Sequence, residues 1–409
     1  MVHGTIREEG FPKPPTKQSR MSEKPKLSFW NRFTVKQIVL ATIFLVAIFI
    51  ASTCTVYTVT RTDGNVTSHG AQKSTYANPP AASNSDGSNI GASNTNDQSQ
   101  SYASDPLLYQ KFNPDVTPKF VGLLNPAISC YMNSSIQLMY HNPVYRKLLK
   151  KLVMEPPSEY IGEEAHKRMQ ALASFFHQMD ISEPSAVLKA NSHVLLPNNM
   201  TEENGQQDAQ ETLQEIFYGV LDDAITLKVS ETGYYIYPTG VKKERNPINE
   251  ERNIIQVEIP GSEKKVLTKK WTLNKLLQKS FETEIVTDAG EYDISKTYSL
   301  THLPETLIIQ IKRFGYDFKT KQAWKICDPI PTPDEFEMTQ ADGKVFKYRL
   351  NAFIRHGGGV GGGHYVAYVR NKDSQFICLN DASVSVMTQN ELDSARDNAY
   401  IYSYLRVDK

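Results

Sequence analysis

Four cysteines occur in 409 residues, and one of them, Cys130, sits where an irregular stretch passes into a helical pattern. Gly122 and Pro126 keep GLLNPAIS non-regular, while Met132, Ile136, Met139 and Tyr140 recur at helical intervals. The spacing therefore predicts a thiol at a helix N-terminus, where unpaired backbone N–H groups and the helix dipole favour the nucleophilic thiolate. A cysteine nucleophile needs a base. His364 follows the glycine run Gly357 to Gly363 and opens the strand pattern HYVAYVR, which makes it the base candidate. The imidazole in turn needs a group that fixes its tautomer, and FICLND offers Asn380 and Asp381. Successive strand residues face opposite ways, so only one of the two can lie directly across from His364. A four-residue turn Asn371 to Ser374 would oppose Asp381, and a turn one residue shorter would oppose Asn380.

The elements that must hold these groups read as follows. Tyr348, Leu350, Ala352 and Ile354 alternate with polar or exposed partners and predict a half-buried strand ending at His356. The run GGGVGGG reads as a mobile loop between strands. Gln206 to Leu221 carries Ala209, Leu213, Ile216, Phe217 and Val220 at helical spacing, with Asp208 and Glu211 on one face near its start. Acids there ordinarily complement the helix dipole. LIIQIKRF, Leu307 to Phe314, reads as a buried strand with Lys312 and Arg313 as solvated charges at its end.

Together GLLNPAISCYMNSSIQ, GQQDAQETL, LPETLIIQIKRFGYD, YRLNAFIRHGGGVGGGHYVAYVR, FICLNDASV and the terminal AYIYSYLR resemble, in order, the motifs of the ubiquitin-specific proteases, papain-like cysteine deubiquitinases. The resemblance implies an α+β papain-like fold with thumb, palm and fingers over residues 112–409. It implies Cys130 as nucleophile, His364 as base, Asn380 as its orienting partner with Asp381 as helper, and Asn125 as oxyanion donor. It further implies that Asp208 and, less directly, Glu211 bind the basic ubiquitin tail. His356 matches a supporting histidine, and the glycine loop with Gly363 and Tyr365 lines the tail's path. Ala127 stands where glycine is usual and Ile128 where a small or polar residue is common, so a catalytically weak ubiquitin-binding module is the alternative, as is a protease for another ubiquitin-like modifier. Many relatives hold zinc in the fingers with two Cys-x-x-Cys pairs. Here YYIY and EYDI stand instead, no metal or other cofactor is expected, and tyrosine packing must replace it.

Balanced charge, 45 basic and 45 acidic residues, gives no global argument for a nucleic-acid partner. Residues 1–37 read as a basic disordered arm. Residues 38–58 contain ATIFLVAIFIA within an uncharged span from Lys36 to Arg61, long enough for one transmembrane helix and longer than the apolar core of a signal peptide. Residues 59–111, rich in Ser, Asn and Gly, read as a flexible tether. The expectation is a single-pass membrane protein whose catalytic head faces ubiquitin-containing cytosol. The basic flank before the anchor argues for translocation of that head instead. Export from a bacterium into a host cell would reconcile the two.

Overall fold

The computed structural model describes residues 105–201, 205–261, 270–287 and 292–407. The expected arm, transmembrane span and most of the tether lie outside these residues; among the described residues no helix is long and apolar enough to cross a membrane.

Helices come first in the chain: α1 (Cys130–Tyr140), α2 (Pro143–Met154), α3 (Glu163–Ile181) and α4 (Ala209–Ile216). Helix α1 is buried along all eleven residues, not on one face only. A helix buried all round must satisfy its polar side chains internally. Gln137 Nε2 does so on Val121 O at 2.8 Å, and Ser135 Oγ on Tyr131 O and Ala209 O at 2.8 and 3.1 Å. Pro143 at the start of α2 and Asn142 as its cap, accepting from Val144 N and Tyr145 N, turn the chain sharply between α1 and α2. Helix α4 is shorter than the periodicity predicted. Asp208 caps it and it stops at Ile216, while Phe217 and Val220 remain buried in the turns beyond.

An eight-stranded sheet carries the rest of the site. Its strands are β1 (Ile254–Glu258), β2 (Thr306–Lys312), β3 (Glu335–Thr339), β4 (Val345–Gly359), β5 (Gly362–Arg370), β6 (Phe376–Asn380), β7 (Ser383–Val386) and β8 (Ile401–Arg406). The order across the sheet is β7-β6-β5-β4-β8-β2-β1, with β3 also paired to β4. Only β1 and β2 run parallel. One face packs on the helices through Ala352, Ile354, Tyr365, Ala367 and Val369. The other face buries Tyr348, Leu350, Phe353, Tyr368, Tyr402 and Tyr404 against the helix Leu273–Ser280. A register shift between Leu350 and Ala352 moves β4 from one parity to the other, as a bulge does.

The glycine run is not the loop the composition suggested. Gly357, Gly358 and Gly359 pair with His364, Gly363 and Gly362, so β4 and β5 form one continuous hairpin closed at Val360 and Gly361. Only glycine suits it at two points. Gly358 takes φ +93°, and a Cβ on Gly363 would lie 2.2 Å from His356 Nε2 and 2.3 Å from Gly357 O.

Arg313 also departs from expectation. It is buried between β2 and a short strand Phe314–Asp317, donating from Nε to Ala399 O, from Nη1 to Asp328 O and from Nη2 to Asp397 O, each at 2.8 Å. Its charge-assisted bonds tie the strand end to the turn before β8. Lys312 stays outside and pairs with Glu258.

A second, five-stranded sheet is built on Leu227–Ile236 and Asp293–His302. Here Tyr292 packs edge-on against Tyr235 and Tyr237, at centroid distances of 4.8 and 5.8 Å. Edge-on tyrosine pairs of this kind add packing to the sheet.

Candidate functional site

The cysteine loop is locked to the β6–β7 turn before any chemistry is considered. Asp381, at φ 50°, accepts from Asn125 Nδ2 through Oδ2 and from Asn133 Nδ2 through Oδ1, both at 2.9 Å. Its carbonyl accepts from Leu123 N at 2.8 Å. Gly122 passes so close to this turn that a Cβ would lie 2.4 Å from Ala382 O. At the other end of the loop, Asn125 Oδ1 accepts from Ser129 N and Ser129 Oγ at 2.9 and 3.1 Å, ordering the turn that precedes the nucleophile. The backbone at Ala127 does not take positive φ, which among the described non-glycine residues falls at Lys321, Ser374 and Asp381. Alanine at that position therefore costs no backbone strain.

Cys130 opens α1, as its spacing predicts, but it is enclosed, with 2% of its surface accessible. Burial pushes the thiol up from its ordinary value. The main-chain N–H of Tyr365, the Gln206 carboxamide and the N–H of Tyr131 oppose that rise, and the Asp381 carboxylate adds to it. The helix terminus alone does not make a thiolate here, because desolvation outweighs it. Ionisation must come with a proton acceptor.

The expected acceptor, His364, stands on β5. His364 Nε2 lies 2.6 Å from Asn380 Oδ1 and 3.7 Å from Asp381 Oδ2. An amide oxygen only accepts, so Nε2 carries the proton, and in the neutral ring Nδ1 is the basic nitrogen. The turn that brings Asn380 there differs from both lengths considered from the sequence. Arg370 pairs with Phe376, leaving Asn371 to Gln375 as a five-residue connection. Extending the Ala367–Leu379 register one step sets Asn380 opposite Val366, on the same pleat face as His364 two residues earlier. Asn380 thus reaches the imidazole diagonally, while Asp381 binds the cysteine loop with its Oδ2 still 3.7 Å from His364 Nε2.

The expected tail-binding residues divide. Asp208 is committed to Gln210 N through Oδ1 at 2.7 Å and to the Tyr400 hydroxyl through Oδ2 at 2.6 Å. Burial pushes its carboxyl up, and burial with the charges of Asp208 and Glu215 does the same for Glu211. His356 and Tyr365, by contrast, present no side chain outward. Both rings are buried, 4.6 Å apart between centroids, and the Tyr365 main chain, not its ring, faces the thiol. Lys325 Nζ reaches His356 Nδ1, His356 O and Gly358 O at 2.8, 2.8 and 2.9 Å, bracing the hairpin from behind.

Sequence reasoning missed Gln206, whose Nε2 lies 3.5 Å from Cys130 Sγ and donates to Gly363 O at 2.7 Å. The only signal was its place two residues before the capping Asp208.

The family model described as ubiquitin carboxyl-terminal hydrolase matches residues 121–404. Ubiquitin C-terminal hydrolase 12 of Arabidopsis thaliana is 25% identical over 329 residues, covering 72% of this chain and 27% of that protein. Human Ubl carboxyl-terminal hydrolase 18 is 23% identical over 322 residues, covering 70% of this chain and 85% of that protein. The chain spans about a quarter of the length of the first curated relatives it matches. Among solved structures, the SAGA Ubp8/Sgf11/Sus1/Sgf73 DUB module bound to ubiquitin aldehyde superposes with a TM-score of 0.57 at 19% identity, covering 72% of this chain and 71% of that one, a likeness of fold.

Proposed function

The chain belongs to the ubiquitin carboxyl-terminal hydrolase family, and from that premise we propose that it is a thiol-dependent deubiquitinase hydrolysing the amide, chiefly isopeptide, bond after the C-terminal glycine of ubiquitin. The observation that supports the reading is the 2.6 Å bond between His364 Nε2 and Asn380 Oδ1, on the strand whose next residue, Tyr365, brings its main-chain N–H to the enclosed Cys130. It fixes the tautomer that leaves Nδ1 to take the thiol proton. The Cys130 thiolate attacks the carbonyl, backbone N–H groups and the Asn125 loop stabilise the oxyanion, the amine leaves with the proton from His364, and water releases the acyl-enzyme. Asp208 and Glu211 supply the acidic ground for the basic residues of the tail.

The test is covalent labelling with a ubiquitin bearing a C-terminal electrophile. An adduct that Cys130→Ala abolishes is expected; retained ubiquitin binding without an adduct would mark a binding module. The relaxed backbone at Ala127 favours the active enzyme. A second reading, a protease for a ubiquitin-like modifier, draws on the similarity to human Ubl carboxyl-terminal hydrolase 18. The same electrophile on other modifiers decides it, since the preferred modifier reacts fastest.

A membrane tether at residues 38–58 completes the proposal, on the strength of the uncharged run behind a basic flank. Fractionation of the full chain against a chain starting at residue 106 tests it: carbonate-resistant membrane recovery of the full chain alone is expected, and recovery of both in the soluble fraction would end the idea.

A further inference from the structure

Gln206 is an exposed side chain that reaches the Cys130 thiol. Its Nε2 donates to Gly363 O at 2.7 Å and stands 3.5 Å from Cys130 Sγ, and its Oε1 accepts from Gly363 N at 3.3 Å. One primary amide therefore spans the nucleophile and the strand that carries the base, since Gly363 directly precedes His364. The Asn125 carboxamide is engaged elsewhere: its oxygen is shared by two Ser129 donors, and one of its N–H bonds goes to Asp381.

We propose that Gln206 is a catalytic residue whose Nε2–H donates to the oxyanion of the tetrahedral intermediate formed at Cys130. The assignment rests on the deubiquitinase reading above and adds a second side-chain donor to it. In the step itself, the thiol proton passes to His364 Nδ1 and a sulfur lone pair forms the C–S bond. The carbonyl π pair moves to oxygen. Collapse restores the C=O bond and breaks the C–N bond, and the departing amine takes the proton from the imidazolium. The transient oxyanion lies two bonds from Sγ, so a donor already touching Sγ is within hydrogen-bonding reach of it.

The interaction is also of the kind that strengthens where it matters. A contact of 3.5 Å from an amide N–H to a neutral thiol is weak, whereas the same N–H to an anionic oxygen is charge-assisted. The gain is realised in the transition state and not in the ground state, which is the condition for raising kcat. The two bonds to Gly363 preorganise the amide in the free chain.

The experiment compares the full chain with Gln206→Ala and Gln206→Glu, the latter keeping the shape but losing the donor, on ubiquitin carrying a C-terminal fluorescent amide. Both variants are expected to lose about 100-fold in kcat, with KM held within about 2-fold. Affinity for ubiquitin aldehyde, whose thiol adduct carries a tetrahedral oxygen, should fall with kcat. Affinity for unmodified ubiquitin, measured in a Cys130→Ala background, should not. An unchanged or increased kcat would make Gln206 a plug over the thiol and overturn the assignment. Parallel losses in KM, aldehyde affinity and ubiquitin affinity would make it a tie for the hairpin and overturn it equally. Wild-type chain that neither cleaves the substrate nor binds the aldehyde would overturn the deubiquitinase reading, and the Gln206 role with it.

Discussion

Lys325 Nζ donates to His356 Nδ1 at 2.8 Å, so a buried imidazole beneath the glycine hairpin is held neutral by a cation. Burial, then the Lys325 charge, lowers His356 to about 4. The unfolded histidine binds its proton nearer its ordinary value, so stability from neutral His356 is full above about pH 6.5 and is lost as pH falls through 4. We expect the hairpin to weaken over that window by at most about 3 kcal/mol. NMR titration of the histidine ring should show His356 neutral until near pH 4, and Lys325→Met should move that midpoint upward; an unmoved midpoint would rule out the coupling.

Asn380 and Asp381 make separable contributions. Asn380→Ala leaves the cysteine loop intact but frees the His364 ring to rotate and choose its tautomer, so kcat should fall about 100-fold with little change in Tm. Asp381→Asn places a carboxamide against both Asn125 Nδ2 and Asn133 Nδ2, where one N–H must meet another donor. That variant should lose about 1 to 3 kcal/mol of stability and, with the loop displaced, its reaction with a ubiquitin electrophile. Steady-state kinetics beside thermal melts separate the two patterns, and identical behaviour of both variants would contradict the division.

The hairpin glycines are not equivalent. A Cβ at Gly362 meets nothing within 4 Å, whereas one at Gly363 collides with His356 Nε2 and Gly357 O. Gly362→Ala should therefore melt within about 0.5 kcal/mol of wild type, while Gly363→Ala should cost about 1 to 3 kcal/mol as an overpacked site does. Chemical denaturation measures both, and equal stabilities would show that the hairpin opens freely.

Arg146 is fully buried, bonds Asp180 at 2.9 Å and lies over the rings of Phe112 and Tyr140. Arg146→Met removes the cation from the buried Asp180 carboxylate, which keeps only the Tyr140 hydroxyl among the bonds described, and should destabilise the fold by about 3 to 5 kcal/mol. The double change Arg146→Met with Asp180→Leu should recover part of that loss. Equilibrium unfolding of the three chains is the check, and a single variant as stable as wild type would show the pair contributes nothing.

What the sequence made legible follows from how local each signal was. Cys130 at a helix start was readable because the helix period is short-range, whereas His364 lies third in its strand, behind two paired glycines, and Asn380 was favoured over Asp381 by the resemblance alone. The β5–β6 register was not readable, since a five-residue turn held by the Asn371 side chain on Gln375 N is set by local hydrogen bonds that residue types do not specify. The glycine run was misread for the same reason: seven residues with one side chain carry no periodicity, although backbone pairing needs none. Arg313 was misjudged because its partners are carbonyls from chain segments up to 86 residues away. Gln206 was invisible because nothing in a glutamine's neighbours says which way its amide points.

The joint between Asn125 and Asp381 spans 256 positions of chain, and β8 is inserted between β4 and β2 rather than at an edge. Translation delivers the nucleophile early and its clamp late. A nascent chain can have exposed Cys130 outside the ribosome while the sheet still lacks a central strand and the cysteine loop still lacks its anchor. A product released before residue 401 would hold the Cys130 thiol but lack the strand that joins β4 to β2, and on the proposed function it would be inactive.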